Sequence, residues 1–524
     1  MLKHVMTIQT HLIDGLIRTL KASGLEITLR ETHISWVLLA GDRAWKIKKA
    51  VNFGFLDFST LAKRKQACEE ELRLNRRFAP EIYLDVIRIC GSADLPVING
   101  ETAAIEYAVR MRRFDENGLL SELADTQQLD TCHIDTIAQQ VANIHLQAPV
   151  AGPATHWGEP NQVHHWMNES LEHLQRLVLE PGKACQIANI EQLCTRLYKQ
   201  TRPAIQARNE SGFVRECHGD LHLGNMVWIE QQLVPFDCIE FNPALRWIDV
   251  ISEAAFVMMD LQDRNYPAFA WRFINRYLSI TGDYAGLEVL RYYIVYRALV
   301  RAKVALLQRD EPETPETRKA RLTTQYIAYA NLAERWLTHY RPALILMHGL
   351  SASGKSTVAT RLAEQYGCVH LRSDVERKRL HGLDPMADSF SQTGSGIYTA
   401  SSSEKTYQRL YHLASITLSA AYPVIIDAAF LDRKQRHHFQ HLAIEHKCPF
   451  LIVHCEASRK ALESRIIARA HKGNDPSEAT LAVLGKQIEQ QDSLTENEPY
   501  ITVSITDTPT LPTTIVGYLR PDPS

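Results

Sequence analysis

Gly349-Leu350-Ser351-Ala352-Ser353-Gly354-Lys355-Ser356 decides the fold of the C-terminal part of the chain. Glycines at both ends let the backbone curl until consecutive N–H groups point inward, a concavity that suits phosphate oxygens. The apolar run 343–347 before it reads as a buried strand, and Val358, Leu362 and Tyr366 after it recur at helical spacing. Strand, loop and helix in that order make a P-loop. Lys355 is expected to reach the β- and γ-phosphates of ATP and the Ser356 hydroxyl to ligate Mg²⁺. Gly349, Ser351, Ala352, Ser353, Gly354, Lys355, Ser356 and Thr357 are the expected nucleotide-binding residues.

Downstream residues extend this reading. Val424-Ile425-Ile426-Asp427 ends a second buried strand on a carboxylate, which places Asp427 beside Ser356 as a magnesium ligand. Ser373-Asp374 and Arg377 follow the apolar run 368–371, where Asp374 is placed to take a proton from an acceptor hydroxyl. Arg465 and Arg469 lie four apart on a predicted helix before Lys472-Gly473-Asn474-Asp475-Pro476. They read equally as a lid that neutralises the transferring phosphoryl group or as a solvated basic face. Strands and helices alternate through 343–347, 357–366, 424–428, 433–446 and 450–455, which predicts a parallel sheet with helices on both faces. The segment 343–508 resembles the small-substrate P-loop kinases, a group that includes polynucleotide kinases, zeta toxins and gluconate kinases. That resemblance implies Asp374 as the base and names no acceptor.

A second signature lies upstream: His218-Gly219-Asp220-Leu221-His222-Leu223-Gly224-Asn225, then Phe236-Asp237 on the next apolar run. Its His-x-Asp-x-x-x-x-Asn spacing is that of a kinase catalytic loop, with Asp220 on the acceptor hydroxyl and Asn225 and Asp237 on the metal. His218 and His222 are expected to brace the loop. These residues resemble the aminoglycoside phosphotransferase and choline kinase superfamily. Trp45-Lys46-Ile47-Lys48-Lys49, Phe53-Gly54-Phe55-Leu56-Asp57-Phe58, Glu71-Leu72-Arg73-Leu74-Asn75 and Asp237-Cys238-Ile239-Glu240-Phe241-Asn242 extend the likeness. With them, nearly the whole chain looks like bacterial bifunctional proteins that join such a domain to a P-loop kinase. The resemblance implies that Lys46 binds the α- and β-phosphates and pairs with Glu71. Lys48 is the rival for the phosphate role, and Glu69 and Glu70 are alternatives for the pair. Arg246 and Asp249 are expected to pair behind the site. The pattern departs in 30–35, which lacks the glycines of a phosphate-covering hairpin, leaving the hydroxyls of Thr32 and Ser35 to substitute. Glu253, Asp260 and Asp263 are the candidates for an acidic acceptor cleft.

A chain of 524 residues exceeds one hydrophobic core. The boundary is expected at Arg341-Pro342. The fold class is then an α+β protein-kinase-like bilobal domain over 1–340, followed by an α/β P-loop domain with a parallel sheet over 341–524. An apolar fraction of 45% and a net charge of −2 describe a soluble globular protein with no global pull toward nucleic acid or anionic membrane. Ten cysteines without a Cys-x-x-Cys pair argue against zinc and disulfides and suit a reducing cytoplasm. No run reaches the about 18 apolar residues of a spanning helix. The sequence therefore reads as a cytoplasmic kinase with two modules, each passing the γ-phosphoryl group of ATP to a small hydroxyl-bearing molecule, with Mg²⁺ as cofactor. Two alternatives stand beside it. The N-terminal module binds or senses a ligand only, or the C-terminal module phosphorylates nucleic-acid ends through a basic groove at Arg372, Arg377, Lys378 and Arg379.

Overall fold

The computed structural model describes residues 2–504 except 53, 55, 153, 312–313, 339–340, 386, 388, 390–395 and 473–478, and for 2–6 and 469–472 it describes the backbone alone. The chain forms two compact units. The first comprises Met1–Thr136, Gln147–Gln162 and Gln206–Asp260; the second comprises Ile137–Leu146, Val163–Ile205 and the chain from Leu261 on.

In the first unit six antiparallel strands form one sheet: β1 Ile27–Glu31, β2 Ser35–Ala40, β3 Arg43–Lys48, β4 Tyr83–Gly91, β5 Pro96–Ile98 and β6 Glu106–Arg112. Their order is β1-β2-β3-β6-β4-β5. A hairpin at Gly41-Asp42 joins β2 to β3, with Ala40 paired to Arg43. One face of the sheet is covered by the helix Leu2–Ala22, whose Leu12, Ile13, Leu16 and Leu20 pack on Trp36, Leu38, Trp45, Ile47, Ile87 and Ile89. Because Trp45 and Ile47 face that core, strand alternation turns Lys46 and Lys48 to the opposite face. On that face Cys68 of the helix Leu61–Asn75 packs with Tyr83 and Val109 of the sheet. This helix starts at Thr60, whose hydroxyl accepts from the Lys63 N–H. Two short ladders complete the unit: β7 Val214–Glu216 with β10 Trp247–Asp249, and β8 Met226–Ile229 with β9 Gln232–Pro235.

The second unit holds a five-stranded sheet, β11 Leu344–His348, β12 Val369–Arg372, β13 Val424–Asp427, β14 Phe450–Glu456 and β15 Tyr500–Ser504. All its pairings are parallel, in the order β12-β13-β11-β14-β15. The helix Lys355–Tyr366 buries Val358, Ala359, Leu362 and Ala363 against Ile345, Met347, Ile425, Leu451 and Val453. Burial of a leucine such as Leu362 contributes roughly 1.5–3 kcal/mol. The helices Pro267–Thr281, Leu287–Arg309 and Glu316–Thr338 belong to this unit as well. The Asn275 carboxamide donates to Cys368 O at 2.9 Å and accepts from His370 N at 2.8 Å, which supplies edge strand β12 with main-chain partners. Trp271, Trp336 and Tyr422 form one ring cluster beside it, with centroids 6.1–6.4 Å apart. Among the described residues no helix is long and apolar enough to cross a membrane.

Candidate functional site

In the first unit, Lys46 and Lys48 meet Glu71 beneath the helix Leu61–Asn75. Lys46 Nζ lies 2.7 Å from Glu71 Oε1, and Lys48 Nζ lies 2.5 Å from Oε2. Lys46 also touches Asp237, and Lys48 touches Glu240. Of the three glutamates weighed for the pair, Glu71 makes it, while Glu70 bonds Arg73 and Arg246. Burial opposes charge on Lys46, but Asp237 and Glu71 outweigh it and raise the ammonium well above its ordinary value. Burial likewise opposes charge on Asp237, and the Lys46 charge holds its carboxyl below the usual range.

The loop from His218 to Asn225 brings its chemistry to the same place. The β8–β9 ladder pairs Met226 with Pro235, and Phe236 N donates to Asn225 O at 3.0 Å, so Asn225 and Asp237 leave the hairpin side by side. Asn225 Nδ2 donates to Asp220 O at 2.9 Å and to Asp220 Oδ2 at 3.0 Å, which leaves its carbonyl oxygen for a cation. The Asp220 carboxylate is 38% exposed, open to an acceptor. Asp237 has φ 65°, a left-handed conformation that costs a non-glycine residue energy and here aims the carboxylate. Its N–H donates to Tyr83 Oη at 3.0 Å, and the next N–H, of Cys238, donates to Asn75 Oδ1 at 2.9 Å. The histidines brace the loop as expected. His218 Nε2 is 2.8 Å from Phe236 O, and His222 Nδ1 accepts from Gly224 N at 3.0 Å. Gly219 has φ 91°, and a Cβ there would meet Leu245 O at 2.7 Å, so glycine is required.

Three expectations around this site are corrected. Arg246 and Asp249 do not pair with each other. Asp249 takes a two-pronged bond from Arg208, at 2.7 and 2.9 Å, while Arg246 reaches Glu70 and Glu216. Glu253 and Asp260 do not line an acceptor cleft. Both are buried and hold the His218–Asn225 loop from behind: Glu253 accepts His218 N at 3.2 Å and Gly219 N at 2.6 Å, and Asp260 accepts Leu223 N at 2.8 Å. Of that trio only Asp263 is left, half-buried at the end of the helix Val250–Asp263. The Thr32 hydroxyl is not free for phosphate either, because it donates to Ser35 O and accepts from Ile34 N and Ser35 N inside the hairpin turn.

The second site gathers at the C-terminal edge of the parallel sheet, where β11 ends on the P-loop and β13 on Asp427. Gly349 has φ 138°, and a Cβ there would lie 2.6 Å from Cys455 O, so glycine lets the loop pass β14. Lys355 Nζ donates to Gly349 O at 2.9 Å and Leu350 O at 2.8 Å, folded over the cradle. Ser353 Oγ is buried inside the loop without a hydrogen-bond partner, a donor suited to a phosphate oxygen. The loop therefore fits a nucleotide phosphate. Asp427 is buried against its own charge, yet hydrogen bonds from His370 (3.3 Å) and Ser356, together with the Arg372 guanidinium, hold its carboxyl down at about 2. An ionised Asp427 touching Ser356 fits a magnesium ligand pair. Asp374 stands in the first turn of the helix Ser373–Leu380, which follows β12 at the same edge, and Thr357 is exposed on the first turn after the loop.

Arg465 Nη1 donates to Ala352 O at 3.1 Å, so it touches the P-loop; the Arg469 side chain and 473–478 lie outside the described residues. Arg372, Arg377, Lys378 and Arg379 are the residues of the basic groove offered for nucleic acid. Arg377 bonds Ile397 O and Ser403, Lys378 bonds Ala387 O, and Arg379 bonds Ser279 O and Ile280 O, so three of its four members are tied internally. Residues not anticipated for either site are Tyr83, Asn75 and Glu240 in the first, and His370 and Gln487 in the second. Gln487, on the helix Leu481–Gln490, accepts from the Ser351 N–H at 2.8 Å. Asn75 and Glu240 stood inside the motifs quoted above; the others had no local signal.

Residues 344–494 match the family model described as an AAA domain. An uncharacterized protein of Mycobacterium tuberculosis is 29% identical over 458 residues, 87% of this chain and 89% of its own length. Two solved structures are similar in part. The choline/ethanolamine kinase family protein of Mesorhizobium loti (TM-score 0.37, 12% identical) covers 62% of this chain and 99% of its own. A gluconokinase of Sinorhizobium meliloti (TM-score 0.24, 18% identical) covers 32% and 86%.

Proposed function

We propose that the protein is an ATP-dependent phosphotransferase with two modules, each passing the γ-phosphoryl group to a small hydroxyl-bearing acceptor. The observation that carries this reading is the convergence of Lys46, Asp220, Asn225 and Asp237 in the first unit, repeated in kind by Lys355, Ser356 and Asp427 in the second. In the first site Asn225 and Asp237 would hold Mg²⁺, Lys46 would bind phosphate oxygens, and Asp220 would take the acceptor's proton. In the second, Ser356 and Asp427 would hold the metal, Asp374 would act as base, and Arg465 would stand by the transferring group. The bound cation would neutralise developing negative charge. The protein contributes alignment and fixed charge, which suffices for a loose transition state.

The test is transfer from γ-labelled ATP to a panel of small alcohols, with the full chain. Asp220→Asn should remove one set of labelled products and Lys355→Ala the other, each sparing the rest. Wild-type product patterns from both variants would sink the proposal. A second reading, ligand binding without transfer in the first unit, is favoured by the glycine-free turn closed on the Thr32 hydroxyl. It predicts that Asp220→Asn changes no product.

A further inference from the structure

Glu71 faces two lysines at once, and the two differ in what lies behind them. Behind Lys46 is Asp237, whose carboxylate is 44% exposed; behind Lys48 is Glu240, which is 3% exposed. Lys48 and Glu71 have no exposed side-chain surface at all. Glu71 Oε1 accepts a hydrogen bond from Lys46, while Oε2 lies 2.5 Å from the Lys48 ammonium.

We infer that Lys48 and Glu240 are an inner ion pair that holds Glu71 in place while Lys46 exchanges Asp237 for the phosphates of a nucleotide. Lys48 is thus a positioning residue, and the phosphate role belongs to Lys46. This rests on the reading of the first site as a nucleotide site.

The argument follows from burial. For Asp237 to hold a cation, Lys46 must leave it, and a phosphate must draw on the same ammonium that neutralises Glu71. Asp237 can turn to water or metal during that exchange; a carboxylate without solvent contact cannot. A second cation with no path to solvent removes the difficulty, because Lys48 stays on Glu71 whatever Lys46 does. Chain geometry links the parts. Lys48 follows Lys46 by two residues on one strand and so shares its face. Glu240 follows Asp237 by three residues, its backbone carbonyl held by Arg246 Nη1 at 3.2 Å. The turn that presents the metal carboxylate therefore also presents the counter-charge of Lys48.

The experiment uses the full chain carrying Lys355→Ala, so that turnover reports the first site, with MgATP titration and initial rates. Lys48→Met/Glu240→Leu removes the inner pair as a neutral unit. It should keep its thermal midpoint, raise KM for MgATP at least fivefold and lower kcat/KM at least tenfold. Lys48→Arg, which keeps the charge, should retain at least a third of kcat/KM. Wild-type KM and kcat in the double variant at an unchanged midpoint would overturn the inference alone. No MgATP binding or turnover in the Lys355→Ala background would overturn it together with the reading beneath it. If the double variant does not fold, Lys48→Gln decides: a raised KM supports the inference and an unchanged KM overturns it.

Discussion

Replacing Glu253 with glutamine tests whether this buried acid is scaffold or acceptor ligand. Its two oxygens accept the N–H groups of His218 and Gly219, at 3.2 and 2.6 Å, and it has no exposed surface. Glutamine keeps one acceptor. Its NH₂ group would turn toward the other backbone N–H, so one bond to a charged group is lost, about 1.5–3 kcal/mol, and a buried donor faces a donor, about 1–3 kcal/mol. Allowing for local relaxation, we expect a loss of about 3 kcal/mol. For a unit in the 150–250-residue class this lowers the midpoint by about 6–12 °C. Differential scanning calorimetry resolves that, and labelled-ATP transfer follows Asp220, which the loop presents. The scaffold role predicts a fall in kcat with the acceptor's KM little changed. A midpoint within about 2 °C of wild type, joined to a raised KM for cationic acceptors alone, would refute the reasoning and restore Glu253 to an acceptor cleft.

Three further outcomes are expected. Burial and, after it, the neighbouring His454 push His348 down to about 3, so the folded state resists a proton that the unfolded chain accepts below about 6.5. The contribution is fully present above pH 6.5 and lost as pH falls toward 3, by up to about 1.4 kcal/mol per pH unit; urea midpoints at pH 7.5, 6 and 5 should therefore decline, and less steeply in His348→Asn. Gly219→Ala places a methyl 2.7 Å from Leu245 O in a left-handed conformation, which should cost on the order of 1–3 kcal/mol and reduce first-site transfer at least tenfold. Normal transfer there would mean that the loop tolerates displacement of Asp220. Gln487→Ala removes the bond to Ser351 N–H, about 1 kcal/mol, and should weaken nucleotide binding at the second site about threefold or more by isothermal titration. An unchanged affinity would make Gln487 a surface contact.

What could be read from the sequence was what short spacings encode. Strand alternation already set Lys46 and Lys48 on one face, and both meet Glu71. The P-loop carried its strand, turn and helix within one stretch of chain. The partners of Arg246, Asp249, Glu253 and Asp260 were not legible, because each is fixed by a residue distant in sequence or by a backbone group whose direction depends on packing. Buried acids on the helix Val250–Asp263 look like any polar residues of an amphipathic helix until the loop is laid over them. The helix Ala400–Ser419 has a Ser-rich opening with no strong helix signal; Thr399 caps it, and Leu410, Leu413, Ala414 and Leu418 are buried. The thirty-residue helix Pro181–Glu210 contains Pro203, a residue that interior helix positions disfavour.

The carboxamide of Asn275 gives the rim of the second sheet a neighbour drawn from chain that precedes the P-loop by many residues. A gene divided at codon 341 would separate the two. The C-terminal product would keep Lys355, Ser356 and Asp427, yet carry a bare hydrogen-bonding border at β12 and a Tyr422 ring stripped of both indoles. Such a border invites strand-to-strand stacking between molecules. A transplantable version of the P-loop half therefore must begin upstream of Trp271.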